Sequence, residues 1–259
     1  MKLIKEIYKR NLPLARLGNA NIIIAIALLI YLPFNHYEVL DINSMIKPIK
    51  FALSISIMSY TLCWFLYYLK DKNKVKVYNI VTIIAMVFEQ LAITFQALRG
   101  QQSHFNNSSA FGIIIFALMG VFILTFTIWT AYIVFLFYKQ KAFNLHPTYL
   151  LGIRIGFILF VLFSLFGGYI AQQTGHTVGG KDGDEGLFFI NWSRLFGDLR
   201  IAHFFGIHSL QIIPFTAFIF SKQFSIKVSK IMLLVIVISY TSFILFTMIQ
   251  ALRGEPFIQ

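Results

Sequence analysis

Ionisable side chains stand inside an apolar stretch in the last third of the chain. Residues 198–211 read DLRIAHFFGIHSLQ, and the apolar run that they open continues well beyond them. At about 100° per residue of an α-helix, Arg200, His203, His208 and Gln211 share one face of roughly 140°. Ionisable groups are costly in a bilayer and face the interior of a helix bundle, so they mark a functional site by default. The pattern predicts a buried polar site and leaves its chemistry open.

A second set of polar residues lies at similar depth in earlier apolar runs. At ~1.5 Å per residue, Glu89 lies roughly 15 Å below Arg99, and His208 roughly 12 Å below Arg200. Lys50 lies a little shallower than these two. If their helices are neighbours, Glu89, Lys50 and His208 meet near one level. A cationic ring would then lie above them, with His104 and Asn106 on the loop after Arg99; its predicted members are Lys47, Arg99, Arg200 and Arg253.

These residues suit three kinds of chemistry. Glu89 and His208 are the candidates for proton transfer, and His208 is also a candidate ligand, because both are ionisable and deep. Imidazole is the common axial ligand of haem, and arginine suits its propionates. The residues predicted to hold a cofactor are therefore His104, His203, His208, Arg99 and Arg200. The residues predicted to bind a substrate or an anion are Lys47, Lys50, Arg99, Asn106, Arg200, Gln211 and Arg253.

The composition indicates which elements must position these groups. The chain is 58% hydrophobic and 12% charged, whereas charged residues average about 25% in soluble domains. Long apolar runs recur between short polar breaks. They predict an all-α, polytopic membrane helix bundle that forms a single transmembrane domain over residues 1–259. The predicted spans cover residues 14–34, 45–69, 77–98, 110–138, 149–171, 199–220 and 231–252.

The net charge of +12 has an explanation that does not involve nucleic acid. Lys and Arg cluster in alternate loops, mainly those on the N-terminal side of the bundle, as the positive-inside rule describes. The bias predicts a cytoplasmic N-terminus, an extracytoplasmic C-terminus and an inner-membrane location. The lipid bilayer is thus the predicted partner, and nucleic acid is not. The single cysteine, Cys63, excludes a disulfide framework and a thiolate metal cage.

One pentapeptide occurs twice. QALRG ends the third predicted span at residues 96–100 and the seventh at residues 250–254. One interpretation is duplication of a helical unit. The other is convergent capping, because arginine at a helix C-terminus favours the macrodipole and glycine ends the helix. Phe243 stands at the position that matches Glu89, so the two copies are not equivalent.

Three segments carry a family resemblance. They are KPIKF at residues 47–51, QALRGQQSHFN at residues 96–106 and DLRIAHFFGIHSLQ at residues 198–211. Together they resemble a family of uncharacterised bacterial integral membrane proteins with about seven helices. The resemblance covers most of the chain from the second span onward. It implies a seven-helix membrane fold and brings no established activity with it.

Three functions are compatible with these residues, and whether the protein is an enzyme stays open. The leading hypothesis is a membrane redox protein that binds haem or a His-bound metal at a site facing the extracytoplasmic side. The alternative is a proton-coupled transporter or channel for a small anion, because Glu89 lies mid-span among cations. The third is a non-catalytic membrane subunit whose cations hold a lipid headgroup.

Overall fold

Seven long apolar helices dominate the chain. The computed structural model describes residues 2–173, 175–184 and 186–258. Its helices are α1 (Lys2–Arg10), α2 (Leu12–Tyr31), α3 (Ile46–Leu66), α4 (Lys72–Leu98), α5 (Ala110–Lys139), α6 (Pro147–Ala171), α7 (Leu199–Gln223) and α8 (Ile226–Leu252). Those from α2 to α8 are long and apolar enough to cross a membrane. The predicted all-α chain with seven helices of membrane-spanning type is confirmed.

Several helices begin earlier than hydropathy predicted, because capping residues lie inside basic segments. The Asn11 side chain accepts a hydrogen bond from the Leu14 N–H at 3.4 Å and starts α2. The Asp71 carboxylate accepts one from the Lys74 N–H at 3.1 Å and starts α4 at Lys72. Such caps satisfy backbone donors that have no partner within the helix. Each span therefore extends into charged sequence that a hydropathy window leaves out.

Two short antiparallel ladders, which the sequence did not predict, lie in the loops before α3 and α7. In the first, β1 (Glu38–Val39) pairs with β2 (Ile42–Asn43). In the second, β3 (Thr177–Val178) pairs with β4 (Gly197–Asp198). Both lead directly into a helix that carries predicted site residues. They fix the path of the chain where α3 and α7 begin.

The chain divides into two compact units, Met1–Trp129 and Thr130–Gln259, and α5 contributes residues to both. In the first unit α2 packs along α3, and α4 closes a cluster of Leu28, Met45, Ile49 and Ala97. In the second unit α7 packs between α6 and α8. Small residues allow close helix contacts in membrane proteins. A Cβ on Gly206 of α7 would lie 2.0 Å from the Phe163 ring of α6.

The repeated pentapeptide ends α4 and α8 with the same backbone hydrogen bonds. The Gly100 N–H donates to the Ala97 carbonyl at 3.0 Å, and the Gln101 N–H to the Gln96 carbonyl at 2.9 Å. The two equivalent bonds recur within residues 250–255 at 2.9 and 3.2 Å. The glycine has a positive φ in both, +62° in the first copy and +77° in the second. Both ends are therefore Schellman motifs, which a glycine at this position favours.

The side chains of the two copies also behave alike. The Gln96 amide donates to the Gln102 carbonyl at 3.3 Å. The Gln250 amide donates to the Pro256 carbonyl at 2.8 Å. In each copy the glutamine thus bonds the carbonyl six residues later. A Schellman motif does not require this bond, so capping alone does not explain it.

In each unit a residue two positions before the middle helix lies against the carbonyl of the corresponding alanine. The Ser44 hydroxyl, which precedes α3, donates to the Ala97 carbonyl at 2.8 Å. Gly197, which precedes α7, lies so close to the matching Ala251 that a Cβ would be 2.0 Å from its carbonyl oxygen. These shared contacts join parts that are far apart in sequence. They favour duplication of a three-helix unit, α2–α4 and α6–α8, over convergent capping.

Candidate functional site

In the first unit a lysine is bonded to a histidine, and the charge of that lysine acts on a buried carboxylate. Lys47 in the first turn of α3 donates from Nζ to Nδ1 of His104 at 3.1 Å. Ser103 Oγ also lies 3.1 Å from that nitrogen. Since an ammonium can only donate, Nδ1 accepts, and the proton of a neutral imidazole lies on Nε2. The rings of Phe51 and Phe116 flank the imidazole, with centroids 6.2 and 5.5 Å away.

Glu89 is the carboxylate of this group. It lies on α4 with 3% of its surface exposed, and the charge of Lys47 acts on it. Within the described part of the chain, Oε1 of Glu89 is buried without a hydrogen-bond donor. A buried acceptor left in that state costs about 1–3 kcal/mol. The carboxyl group is therefore suited to take up a proton or to bind a ligand.

Gln90 shows how α4 is held against α3 at this level. Its amide nitrogen donates to the Pro48 carbonyl at 3.2 Å and to Thr94 Oγ1 at 3.1 Å. Pro48 cannot donate a backbone hydrogen bond, and its place in the first turn of α3 suits the helix start. The contact with Gln90 fixes α4 beside the turn that carries Lys47. Gln90 was not among the predicted site residues, although it adjoins Glu89.

The remaining predicted residues of the first unit lie on α3, at the end of α4 and on the loop that follows α4. Lys50 is half-buried one turn after Lys47 on α3. Asn106 is buried, donates to the Gln102 carbonyl at 3.0 Å and accepts from the Ser108 hydroxyl at 2.6 Å, so it braces the loop. Arg99 is exposed at the end of α4 and bonds Gln96 Oε1 at 3.1 Å.

The loop that carries His104 also borders an open cleft of about 470 Å³. One wall is the turn between β1 and β2, and the other is the loop between α4 and α5. The lining residues are Glu38, Val39, Leu40, Gly100, Gln101, Gln102, Phe105, Asn106, Asn107 and Ser108. In sequence, His104 lies between Gln102 and Phe105, which both line the cleft. The loop that lines the cleft therefore also carries the histidine that bonds Lys47.

In the second unit Arg200 is bound to a buried carboxylate. Its Nε lies 2.9 Å from Oδ1 of Asp198, and its Nη2 lies 2.5 Å from Oδ2. Asp198 is fully buried and also accepts the Arg200 N–H at the start of α7. Nη2 of Arg200 further donates to the Asn191 carbonyl at 2.6 Å. The guanidinium thus ties the α6–α7 loop to α7, a role that sequence analysis did not assign to it.

The two histidines of α7 have different partners. His203 donates from Nδ1 to the Phe163 carbonyl of α6 at 2.8 Å, which leaves Nε2 of a neutral ring as an acceptor. His208 forms a side-chain hydrogen bond with Gln211, and its ring lies 4.4 Å from that of Phe204. Two members of the predicted polar face, His208 and Gln211, are therefore bonded to each other. His203 instead bonds the backbone of α6.

Two further positions distinguish the second unit from the first. Phe243, which matches Glu89, packs its ring 4.9 Å from Phe205. Arg253, at the end of α8, is exposed. The carboxylate of the first unit is thus replaced by an aromatic contact in the second. Of the two units, only the first has an ionisable residue at this place in α4 and α8.

Another carboxylate, which sequence analysis left out, organises the α6–α7 loop. Asp182 accepts hydrogen bonds from the His176 N–H at 2.8 Å, from its imidazole at 2.5 Å and from the Thr177 N–H at 2.8 Å. Burial opposes ionisation of this carboxyl group. The hydrogen bonds and charge of His176 outweigh it and hold the pKa of Asp182 well below its usual range.

Fold and site together have the features of a multi-pass membrane protein, and one of its two similar units has a buried carboxylate, Glu89, in the middle of a membrane-spanning helix. Among the described residues, no group of three or more His, Cys, Asp or Glu side chains is placed to hold a metal ion. Comparison with protein-family models, curated proteins and solved structures gives no match for this chain. The geometry of the site therefore carries the functional argument.

Proposed function

We propose that the protein is a membrane transporter that carries a small anion together with a proton, and that Lys47, Glu89 and His104 form its site. The observation that carries this proposal is a buried carboxylate on which the charge of a lysine acts, while that lysine is bonded to an imidazole. The carboxylate and the lysine lie on helices of membrane-spanning type. Ionisable groups are expensive there and typical of ion and proton pathways.

The charges of this site couple proton binding to anion binding. While Glu89 is ionised, its charge offsets that of Lys47, and the pair attracts an anion weakly. Once Glu89 takes up a proton, the ammonium of Lys47 has lost this counter-charge. Attraction between opposite charges is several times stronger near protein than in bulk water. Proton binding therefore creates the anion site, which is the requirement for co-transport.

His104 connects the charged pair with the surface of the first unit. It bonds Lys47 on one side and is followed in the chain by Phe105 and Asn106, which line the open cleft. Imidazole changes its charge near neutral pH. His104 is therefore the proposed proton relay between the cleft and Glu89.

The internal repeat supports a transporter as well. Many secondary transporters are built from structural repeats. Here the α2–α4 and α6–α8 units share their helix ends and the contacts before their middle helices. The proposal also includes three expectations from the sequence. They are the family resemblance, the cytoplasmic N-terminus and the inner-membrane location. In this orientation the cleft faces the extracytoplasmic side, from which the substrate would enter.

Transport assays on purified protein test the proposal. Protein in liposomes with an internal pH dye should acidify the interior when a suitable anion from a panel such as chloride, nitrate, acetate and phosphate is supplied outside. Glu89→Gln should remove the proton flux, and Lys47→Met should remove both fluxes. Glu255→Gln and Lys222→Met are the matched controls, since Glu255 is exposed after the end of α8 and Lys222 is exposed in the last turn of α7.

Two results would contradict the transporter. One is the absence of proton-linked flux for every anion of the panel in wild-type protein that is folded. The other is flux that Glu89→Gln and Lys47→Met leave unchanged. A change in the two control variants of the same size as in the site variants would show that loss of charge, rather than the site, matters.

Redox function remains the second candidate, and one observation favours it. The bond from Nδ1 of His203 to the Phe163 carbonyl fixes the tautomer in which Nε2 can act as a ligand. Histidines that bind metals commonly carry such a bond on the other ring nitrogen. Absorption spectra of oxidised and dithionite-reduced protein, with metal analysis, test it. A Soret band lost in His203→Ala would favour haem.

A further inference from the structure

The α6–α7 loop exposes an unusual apolar surface. Phe188 is 98% exposed, Leu195 61% and Phe189 37%. These residues belong to a short turn at residues 187–195, the apolar tip. Scattered apolar residues are common on protein surfaces, but a cluster of aromatic and aliphatic side chains marks an interaction site.

The apolar tip is a built structure. The Leu187 N–H donates to the Trp192 carbonyl at 2.9 Å, and the Asn191 N–H donates back to the Leu187 carbonyl at 2.7 Å. Phe189 and Asn191 have positive φ angles of 64° and 55°. Such conformations persist where the surroundings enforce them, and they often mark function. The turn therefore holds Phe188 outward.

The base of the tip is anchored to α7. The carboxylate of Asp198 accepts the Ser193 N–H at 3.0 Å, and Arg200 binds the Asn191 carbonyl at 2.6 Å. The indole of Trp192 packs on Phe204 of α7, with ring centroids 5.5 Å apart. All these contacts lie at the first turns of a membrane-spanning helix. The tip is therefore held near the level at which that helix leaves the membrane.

We propose that the apolar tip inserts into the lipid leaflet beside α7, with Phe188 and Phe189 in the acyl region and Arg194 at the headgroups. Both ends of the loop continue into membrane spans, so lipid is the apolar phase within reach. Arg194 is exposed next to Leu195, and a cation complements lipid phosphates. Aromatic side chains beside a basic residue are typical of segments that bind the membrane interface.

Site-directed fluorescence in vesicles tests this proposal. A bimane label at Phe188→Cys should be quenched by nitroxides attached to the lipid chains and protected from iodide in water. The control is Lys181→Cys in the same loop, where the exposed label should show the opposite pattern. Leu195→Cys provides a second tip position in case the first variant fails to fold. Cys63 is buried, and labelling of wild-type protein measures its background.

Two outcomes would overturn the insertion. Iodide quenching at residue 188 equal to that at residue 181 would place the tip in water. Protection from iodide without quenching by the lipid nitroxides would show that protein, such as a second copy of this chain, covers the tip. Neither outcome bears on Lys47 and Glu89, so the proposed transport stands or falls separately.

Discussion

Removing the guanidinium of Arg200 should release the α6–α7 loop. Arg200→Met leaves the fully buried carboxyl group of Asp198 without its ion-pair partner. Breaking a buried ion pair costs about 3–5 kcal/mol. Because 27% of the Arg200 side chain is exposed, solvent screening places this pair at the lower end, at ~3 kcal/mol. At 1.4 kcal/mol for each factor of ten, local opening should become about 100-fold more frequent.

Hydrogen exchange measures this change directly. The Ser193 amide donates to the Asp198 carboxylate at 3.0 Å, so its protection should fall by about that factor in lipid nanodiscs. Arg253→Met is the control, because it removes an exposed arginine at the end of α8. The double variant Asp198→Asn with Arg200→Met removes the unpaired charge and should regain most of the protection.

The same variants separate the structural role of Arg200 from anion or cofactor binding. Unchanged protection at Ser193 in Arg200→Met would refute the reasoning about the ion pair. If the double variant regains its protection but has lost transport or a bound cofactor, Arg200 itself contacts the ligand. If protection and function return together, its role is to hold the loop.

Two further predictions concern the loop and its contact with α8. Gly197→Ala should destabilise the detergent-solubilised protein by about 1–3 kcal/mol through overpacking, because the added Cβ would lie 2.0 Å from the Ala251 carbonyl oxygen. In the control, Gly168→Ala, the added Cβ would have no atom within 4 Å, so the melting temperature should not fall. The lowered pKa of Asp182 stabilises the loop above about pH 4, the value of the unfolded chain, and this stability is lost as pH falls through the lower pKa of the folded state. Amide exchange at residue 177 should therefore stay slow at pH 5, and in Asp182→Asn it should be fast at every pH.

Hydropathy was sufficient to predict the seven spans, since each requires only length and apolar composition. It placed the start of the third span at residue 77, whereas Asp71 caps α4 and brings five more residues into the helix. The two short ladders escaped prediction because strands of two residues carry no periodic signal. Capping and loop geometry depend on single side chains, and a window average does not represent them.

The candidate site was predictable in type and only partly in arrangement. The rise of a helix suggested that Lys50 and Glu89 lie at a similar depth. In the structure the charge that acts on Glu89 is that of Lys47, which lies one turn before Lys50 on α3. The angle per helical residue predicted that Arg200 and His203 share one face. In the structure Arg200 forms an ion pair with Asp198, two residues earlier, and His203 bonds the Phe163 carbonyl of α6. The angular position of a residue on a helix does not predict which side chain or carbonyl it will bond.

The two units differ in the carboxylate that accompanies their basic residue. Both have a basic residue in the first turn of the middle helix, Lys47 in α3 and Arg200 in α7. In the second unit Asp198 neutralises it at the helix start, and Phe243 fills the place that matches Glu89. In the first unit the carboxylate on which the charge of Lys47 acts is Glu89, in the middle of α4, and in the proposed transport cycle proton uptake removes this counter-charge. A duplicated scaffold would thus have kept its titratable pair in one copy and used the other copy's charge to build a loop.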